Sequence, residues 1–341
     1  MKYVGADLHK KTVSLCVVEW HDHSTRVVQR KRLRCDEPDQ IGEFLASLGE
    51  FCITVEATIG YDWFAALAEP LARRVVIAHP HKLRVIADST RKSDKIDAQT
   101  LADFLAHNMI PEAWRATPRV RQHRSLIRRR QKVQNRITSI KTTIRALLTR
   151  YNADRRDLFT RIGRKALRQF QFLDEERWLV DDLLEDLDQA RHHLANVDCR
   201  LREFAERAPL AEREAREVLA TLPGAGPVTI NVLLAELGDW RRFTSGDAVV
   251  AFAGLSPGFR ESDGHRKALG ITKAGSPLLR WAMIQLAHRV KQSSSRWRTT
   301  FERLSQRTGK KKATCAIARR LLLVVHAMLR DGRAYQFAAA K

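Results

Sequence analysis

Four carboxylates stand out by where they fall in the chain. Asp94 and Asp97 lie three residues apart in "RKSDKIDAQTLADFL", at the start of a helical pattern and among Arg91, Lys92 and Lys95. Asp7 sits inside the strand-like "YVGADLH", between Ala6 and Leu8, and Glu56 ends the apolar run "FCITVE". An isolated ionised carboxylate in such surroundings is costly unless a cation compensates it. Residues three apart on a helix share a face, so Asp94 and Asp97 can serve one centre. If all four acids converge, two Mg²⁺ ions about 3.5–4 Å apart, bound through oxygen, relieve their repulsion and create a phosphodiester-cleaving centre. Each acid also has a purely structural reading. Asp94 and Asp97 could cap a helix at its positive end, and Asp7 and Glu56 could pair with buried arginines.

The elements around these residues read as an α/β layer fold with a mixed sheet over residues 1–112. Strand patterns cover 3–9, 12–20, 26–35, 51–58 and 74–80, and helical patterns cover 41–49, 61–72, 81–89 and 94–107. Three successive strands at the start form a meander, which tends to put the first strand in the centre. The strand that ends in Glu56 can then lie beside it and bring Glu56 to Asp7.

From residue 113 the pattern changes. Val133, Ile137, Ile140, Ile144, Leu147 and Tyr151 recur at steps of four and three, as do Val180, Leu183, Leu187, Ala190, Leu194, Val197, Leu201 and Phe204. Both are heptad seams, so residues 113–210 are expected to form a coiled coil of two long helices. Residues 211–341 are expected to form a mainly α-helical domain. It opens on the "LPGAGP" turn, Leu222 to Pro227, which is like the hairpins that let backbone N–H groups approach a phosphate. It closes on an amphipathic helix over 312–330.

Charge points to a polyanionic partner. Lys and Arg total 61 against 39 Asp and Glu, a formal net charge of +22. Between Ala113 and Ala153 there is no acid, while Arg121, Arg124, Arg128, Arg129, Arg130, Lys132, Arg136, Lys141 and Arg145 crowd one helix. Such a block repels itself unless the second helix, whose Asp181, Asp182, Glu185, Asp186 and Asp188 are acidic, or a nucleic-acid backbone neutralises it. The longest apolar run, "LLLVV", is far below the ~20 residues of a membrane span, and "MKYVGADLH" does not read as a signal peptide. A cytoplasmic protein without membrane partners is expected. Five scattered cysteines and the pairs His21/His23 and His79/His81 lack the complement a zinc site needs.

"GADLHK", "VEATIGYDW", "KSDKIDAQTLA", "RRRQKVQNRITSIKTTIRALL" and "LPGAGPVTINVLLAELGDWRRFTSGDAVVAFAGLSP" succeed one another along nearly the whole chain. In that order they resemble the DEDD transposases of bacterial insertion sequences. The resemblance implies an N-terminal RNase H/RuvC-like domain and a C-terminal serine-bearing domain. It carries the family's acidic positions onto Asp7, Glu56, Asp94 and Asp97, and its serine onto Ser262 in "RESDGHRKALG". The family often has two small residues in a row there, whereas here Asp263 comes after the serine.

A serine hydroxyl needs a base or a metal to activate it, and cations to stabilise the phosphorane-like charge. The resemblance implies that carboxylate-bound Mg²⁺ performs the activation in a composite site, with Arg260, His265, Arg266 and Lys267 as phosphate contacts or as a solvated loop. It further implies donor and target DNA as substrates, a bridge RNA as guide held by the basic helix, and a homodimer or tetramer on bacterial nucleoid DNA. The nearest rival is a RuvC-like junction nuclease that uses water in place of serine. The rival from another class is a non-catalytic RNA-binding protein.

Overall fold

In the computed structural model the described residues are 1–336 except 23, 59, 81, 84–93, 263 and 264, and the side chains of 94–97 and 260–268 are not described. The chain divides into two units, Met1–Arg115 and Ala116–Lys341.

In the first unit β1 (Lys2–Leu8), β2 (Thr12–His21), β3 (Ser24–Arg34), β4 (Phe51–Glu56) and β5 (Arg74–Ala78) form one sheet in the order β3-β2-β1-β4-β5. The expected meander is present, and β1 is central, antiparallel to β2 and parallel to β4. Alternation divides its side chains. Val4, Ala6 and Leu8 face a core built with α1 (Pro38–Ala46) and α2 (Tyr61–Ala68). The other face carries Tyr3 and Gly5 and takes α3 (Asp94–Ala106), whose Ala98, Ala102 and Ala106 pack with Cys16 and Val18. Helices on both faces explain why "VSLCVV" in β2 is buried on every residue. The far edge of β5 is covered, because Ala113 N–H donates to Ile77 O at 2.7 Å and His79 N–H to Pro111 O at 2.8 Å. The expected helix over 81–89 falls largely outside the described residues.

The second unit is helical apart from one ribbon. α4 (Pro118–Arg150) and α6 (Asp174–Glu206), 33 residues each, flank the short α5 (Arg161–Gln169). They pack against each other: Val133, Ile137, Ile140, Ile144 and Leu147 join Val180, Leu187 and Ala190 in one core, in which Leu184 is buried and the expected Leu183 only partly so. Next come α7 (Leu210–Ala220), α8 (Pro227–Leu237), α9 (Gly246–Phe252), the ribbon β6 (Pro257–Ser262) and β7 (His265–Ile271), α10 (Pro277–Ser293), α11 (Ser295–Thr308) and α12 (Lys310–Asp331). The last helix thus begins two residues before the expected 312. The long helix pair and the C-terminal helices make one body. Ile127 and Leu201 share a core with Val232, Ala235 and Ala282, which leaves no parting at the expected boundary near 210. No helix of the described residues is long and apolar enough to cross a membrane.

A buried polar cluster ties α4 to α7 and α8. Arg216 Nη1 donates to Asn231 Oδ1 at 3.0 Å, so that oxygen is an acceptor and His123 Nε2, 2.9 Å away, carries the proton. Burial, with the Arg216 and Arg119 charges, pushes His123 down to about 4 against the opposing pull of Asn231 and Glu212. Burial alone would raise Glu212, but hydrogen bonds from Arg119 and Arg216 hold it below its ordinary value.

This cluster makes stability depend on pH. Unfolded His123 titrates near 6.5 and folded His123 near 4, so the unfolded state binds more protons between these values. Stability should therefore fall as pH drops from 6.5 toward 4, by on the order of 3 kcal/mol. Melting curves of His123→Gln, which keeps a donor toward Asn231, should show a flatter slope across that window. Two glycines should respond to alanine in opposite directions. At Gly5 an added Cβ would lie 2.0 Å from Ala98 O, whereas at Gly42 in α1 the nearest atom, Leu67 Cδ1, is 3.8 Å away. Urea unfolding should show Gly5→Ala destabilised by about 1–3 kcal/mol or more and Gly42→Ala stabilised by about 0.4–1 kcal/mol.

Candidate active site and nucleic-acid interface

In the parallel ladder Ala6 pairs with Val55, so Asp7 and Glu56 are the next positions on adjacent strands. Both lie at the carboxyl ends of β1 and β4, the edge where open α/β sheets place ligands. By alternation both fall on the face that α3 covers. The expected juxtaposition of these two acids is present. Neither is fully buried: the Asp7 side chain keeps 15% of its surface, and Glu56 is half-buried. Among the described residues Glu56 has no ion pair, while the side chains of Arg84, Arg91, Lys92 and Lys95 lie outside them.

The path of α3 is fixed by its contacts. Thr25 Oγ1 donates to Asp103 Oδ1 at 2.7 Å, and the Trp20 and His107 rings lie 4.8 Å apart. Trp20 and Thr25 are paired at the end of the sheet where Lys2 starts β1. The end of α3 therefore lies over the start of β1, and Ala98 and Ala102 straddle Gly5. α3 runs antiparallel to β1. One helical turn back from Ala98 is about 5.4 Å, close to the ~6.6 Å that two strand residues cover from Gly5 to Asp7. The first turn, residues 94–97, is thus directed toward the Asp7 end. The side chains of Asp94 and Asp97 themselves lie outside the described residues.

His9, which the sequence does not single out, belongs to this edge: its Nε2 is 3.0 Å from Asp7 Oδ2. The available signal was its spacing, two residues after Asp7. Among the described residues no three His, Cys, Asp or Glu side chains gather as a metal cage. The acids at this edge would offer oxygen ligands, a donor type that suits a hard cation.

Ser262 ends β6, opposite His265, with Arg260 opposite Lys267 and Glu261 opposite Arg266. The side chains of Ser262, His265, Arg260 and Lys267 lie outside the described residues. Ser262 belongs to the second unit and the carboxylates to the first.

The basic helix is less bare than its sequence. Arg130 makes a two-point pair with Asp198 at 2.6 and 3.2 Å, and Arg136 reaches Asp186 at 2.7 Å. Arg145 binds Asp154, and Arg128 lies 3.6 Å from the buried Glu236. Arg124 donates to Ala235 O and Glu236 O at 2.8 and 2.9 Å, closing the carboxyl end of α8. Arg121 bonds Ala116 O at 2.9 Å. Lys141 lies 5.3 Å over the Phe159 ring, and burial with the Arg191, Arg145 and Arg164 charges lowers its pKa. Arg129 and Lys132 are exposed and carry no ion pair among the described residues.

Residues 4–153 match the DEDD model of IS110 described as "Transposase", and residues 216–302 match the model described as "Transposase IS116/IS110/IS902 family". The chain belongs to the IS110/IS116 family of insertion-sequence transposases. The first match spans all four acids and the basic helix, and the second spans Ser262. The transposase for IS1328 of Yersinia enterocolitica is 25% identical across 97% of this chain and 98% of its own length. The transposase for IS1111A of Coxiella burnetii is 24% identical across 99% and 92%. The pilin gene-inverting protein of Moraxella bovis is 25% identical across 98% and 97%. Among solved structures, Thermus thermophilus RuvC aligns with 33% of this chain and 100% of its own at a TM-score of 0.24 and 12% identity. That likeness is too slight to define the fold, which rests on the strand order.

Removing cations from α4 of the transposase should act in two distinguishable ways. Changing Arg129 and Lys132 to Gln should reduce the slope of log affinity against log salt on duplex DNA by about 2 and leave melting unchanged. Arg124→Gln should instead lower the melting point, because buried carbonyls lose their donors at a cost of about 1–3 kcal/mol. Binding titrations at several salt concentrations, beside thermal melts, read both.

Proposed function

We propose that this transposase cuts and rejoins DNA strands by metal-assisted transesterification, with Ser262 as nucleophile and a bridge RNA selecting the sites. One observation carries the reading. Asp7 and Glu56 occupy consecutive register positions at the carboxyl edge of the two central parallel strands, with the first turn of α3 directed at the same edge. That arrangement supports a RuvC-like DEDD centre in which Asp7, Glu56, Asp94 and Asp97 would hold two Mg²⁺ ions. When bound, the ions supply positive charge at the scissile phosphate. His9 orients Asp7 through the 3.0 Å contact with its Oδ2.

Ser262 Oγ gives up its proton and attacks phosphorus. The bond from phosphorus to the bridging strand oxygen breaks, that oxygen takes a proton, and a phosphoserine diester remains. A hydroxyl of the other DNA partner then reverses the step and frees the serine. No bond energy is lost to water, so the strands can be rejoined without an external energy source. The relative named for inverting a pilin gene favours this over simple hydrolysis, because inverting a gene requires strands to be joined as well as cut. Exchange between two DNA partners calls for a homodimer or tetramer, working in the cytoplasm on nucleoid DNA. The exposed cations of α4 suit a guide RNA, whose base pairing would leave the protein to read only backbone and shape.

Nicking of supercoiled plasmid in Mg²⁺ should fall by about 10²–10³-fold in Asp7→Asn, the scale of removing one electrostatic stabiliser. Ser262→Ala should lose the covalent protein–DNA adduct and strand joining. Persistent nicking and joining in Ser262→Ala would exclude the serine step.

A further inference from the structure

At the foot of the β6–β7 ribbon a groove of about 760 Å³ opens among α10, α11 and α12, and the proposed cutting chemistry makes no use of it. Ile271, Pro277 and Ile284 supply apolar walls, and the rings of Trp281 and Phe301 line it. Trp281 keeps 37% of its surface exposed. The charged residues that line it are Arg280, Lys291, Lys310 and Lys311, and among the described residues no Asp or Glu joins them.

These groups are held in place. Arg280 Nη1 donates to Ala253 O at 3.1 Å and Lys273 O at 3.2 Å, and Lys291 Nζ stands 4.1 Å over the Phe301 ring. Lys310 and Lys311 begin α12, whose first turn contains no acid and whose positive end already repels cations. An apolar peptide would leave these charges uncompensated. A phosphodiester backbone compensates them, and a base offers a face to the exposed indole. Aromatic rings set in a cationic groove are how proteins hold single strands without reading sequence.

We infer that this groove seats an unpaired DNA strand, with a base stacked on Trp281 and phosphates against Lys291, Lys310 and Lys311. The choice of DNA over RNA rests on the proposed function. β7 runs from Ile271 in this groove to His265 opposite Ser262, about 20 Å at strand rise. A strand held here lies within one ribbon length of the Ser262 position.

The experiment uses the full chain in EDTA, so that no cutting occurs, and reads anisotropy of a labelled oligodeoxythymidine. Trp281→Leu should weaken binding about tenfold, Trp281→Phe should restore most of it, and affinity for duplex of equal length should stay within about twofold. Lys311→Gln, a surface change, should lower the single-strand salt slope by about 0.7 and serves if the tryptophan variant misfolds. Unchanged single-strand affinity in a folded Trp281→Leu, or an equal loss on duplex, overturns the assignment. Tighter binding of oligouridine that depends on Trp281 makes the seat one for RNA, and displacement by an acidic peptide ahead of the oligonucleotide makes it a protein site. Asp7→Asn should bind the oligonucleotide normally, so failure of the cutting scheme and failure of this groove are read separately.

Discussion

The close passage of α3 over β1 at Gly5 is the contact on which the candidate site depends. With a Cβ position 2.0 Å from Ala98 O and 2.5 Å from Ala102 N, only a residue without a side chain lets the helix lie this low. The alanines at 98, 102 and 106 keep the helix side of the contact equally shallow. The consequence is positional: a helix held this near the sheet at its middle brings its first turn toward the carboxyl edge, where Asp7 and Glu56 end their strands. A larger residue at position 5 would lift the whole helix away and widen any centre shared by the two elements. The course of α3 over the sheet is therefore set by four small residues, Gly5, Ala98, Ala102 and Ala106, that carry no chemistry.

Much of this was readable beforehand, for definite reasons. Three consecutive strands force a meander, and a meander continued by a helix and another strand leaves the flank of β1 open to β4, so connectivity itself pairs Asp7 with Glu56. The two long apolar helices were legible because Val133 to Leu147 and Val180 to Ala190 carry helical periods, and most of these positions meet in one core. The continuity of the helical body across residue 210 was not. Leu201 belongs to the same apolar pattern as the seam before it, yet it packs with Val232 and Ala282, residues that no local period links to it. His9 was missed because a lone histidine after a strand has many uses, and only the fold shows which carboxylate it meets. Ser262 carries no local signal of reactivity, and the role proposed for it rests on resemblance alone.

The basic helix shows how far composition can be trusted. A stretch from Ala113 to Ala153 without an acid reads as a surface for polyanions, but the fold spends several of those charges internally. Arg130 and Arg136 meet aspartates of α6, and Arg124 caps α8 through its carbonyls. A buried or bonded arginine of this kind fixes helices in place and contributes little to a ligand's salt dependence. What remains for nucleic acid is the subset with exposed ends, such as Arg129 and Lys132.

The same test separates two kinds of cation in the C-terminal helices. Arg280 is fixed by the carbonyls of Ala253 and Lys273, so it shapes the groove wall as much as it charges it. Lys310 and Lys311 stand on an uncapped helix start with no acid in the turn, an arrangement that local stability alone would select against. Three lysines in succession at that position raise the local potential where an exposed indole lies nearby. Structural needs explain Arg124, Arg130 and Arg280, whereas no ion pair among the described residues holds Lys310 or Lys311, and the anion inferred for the groove would compensate them.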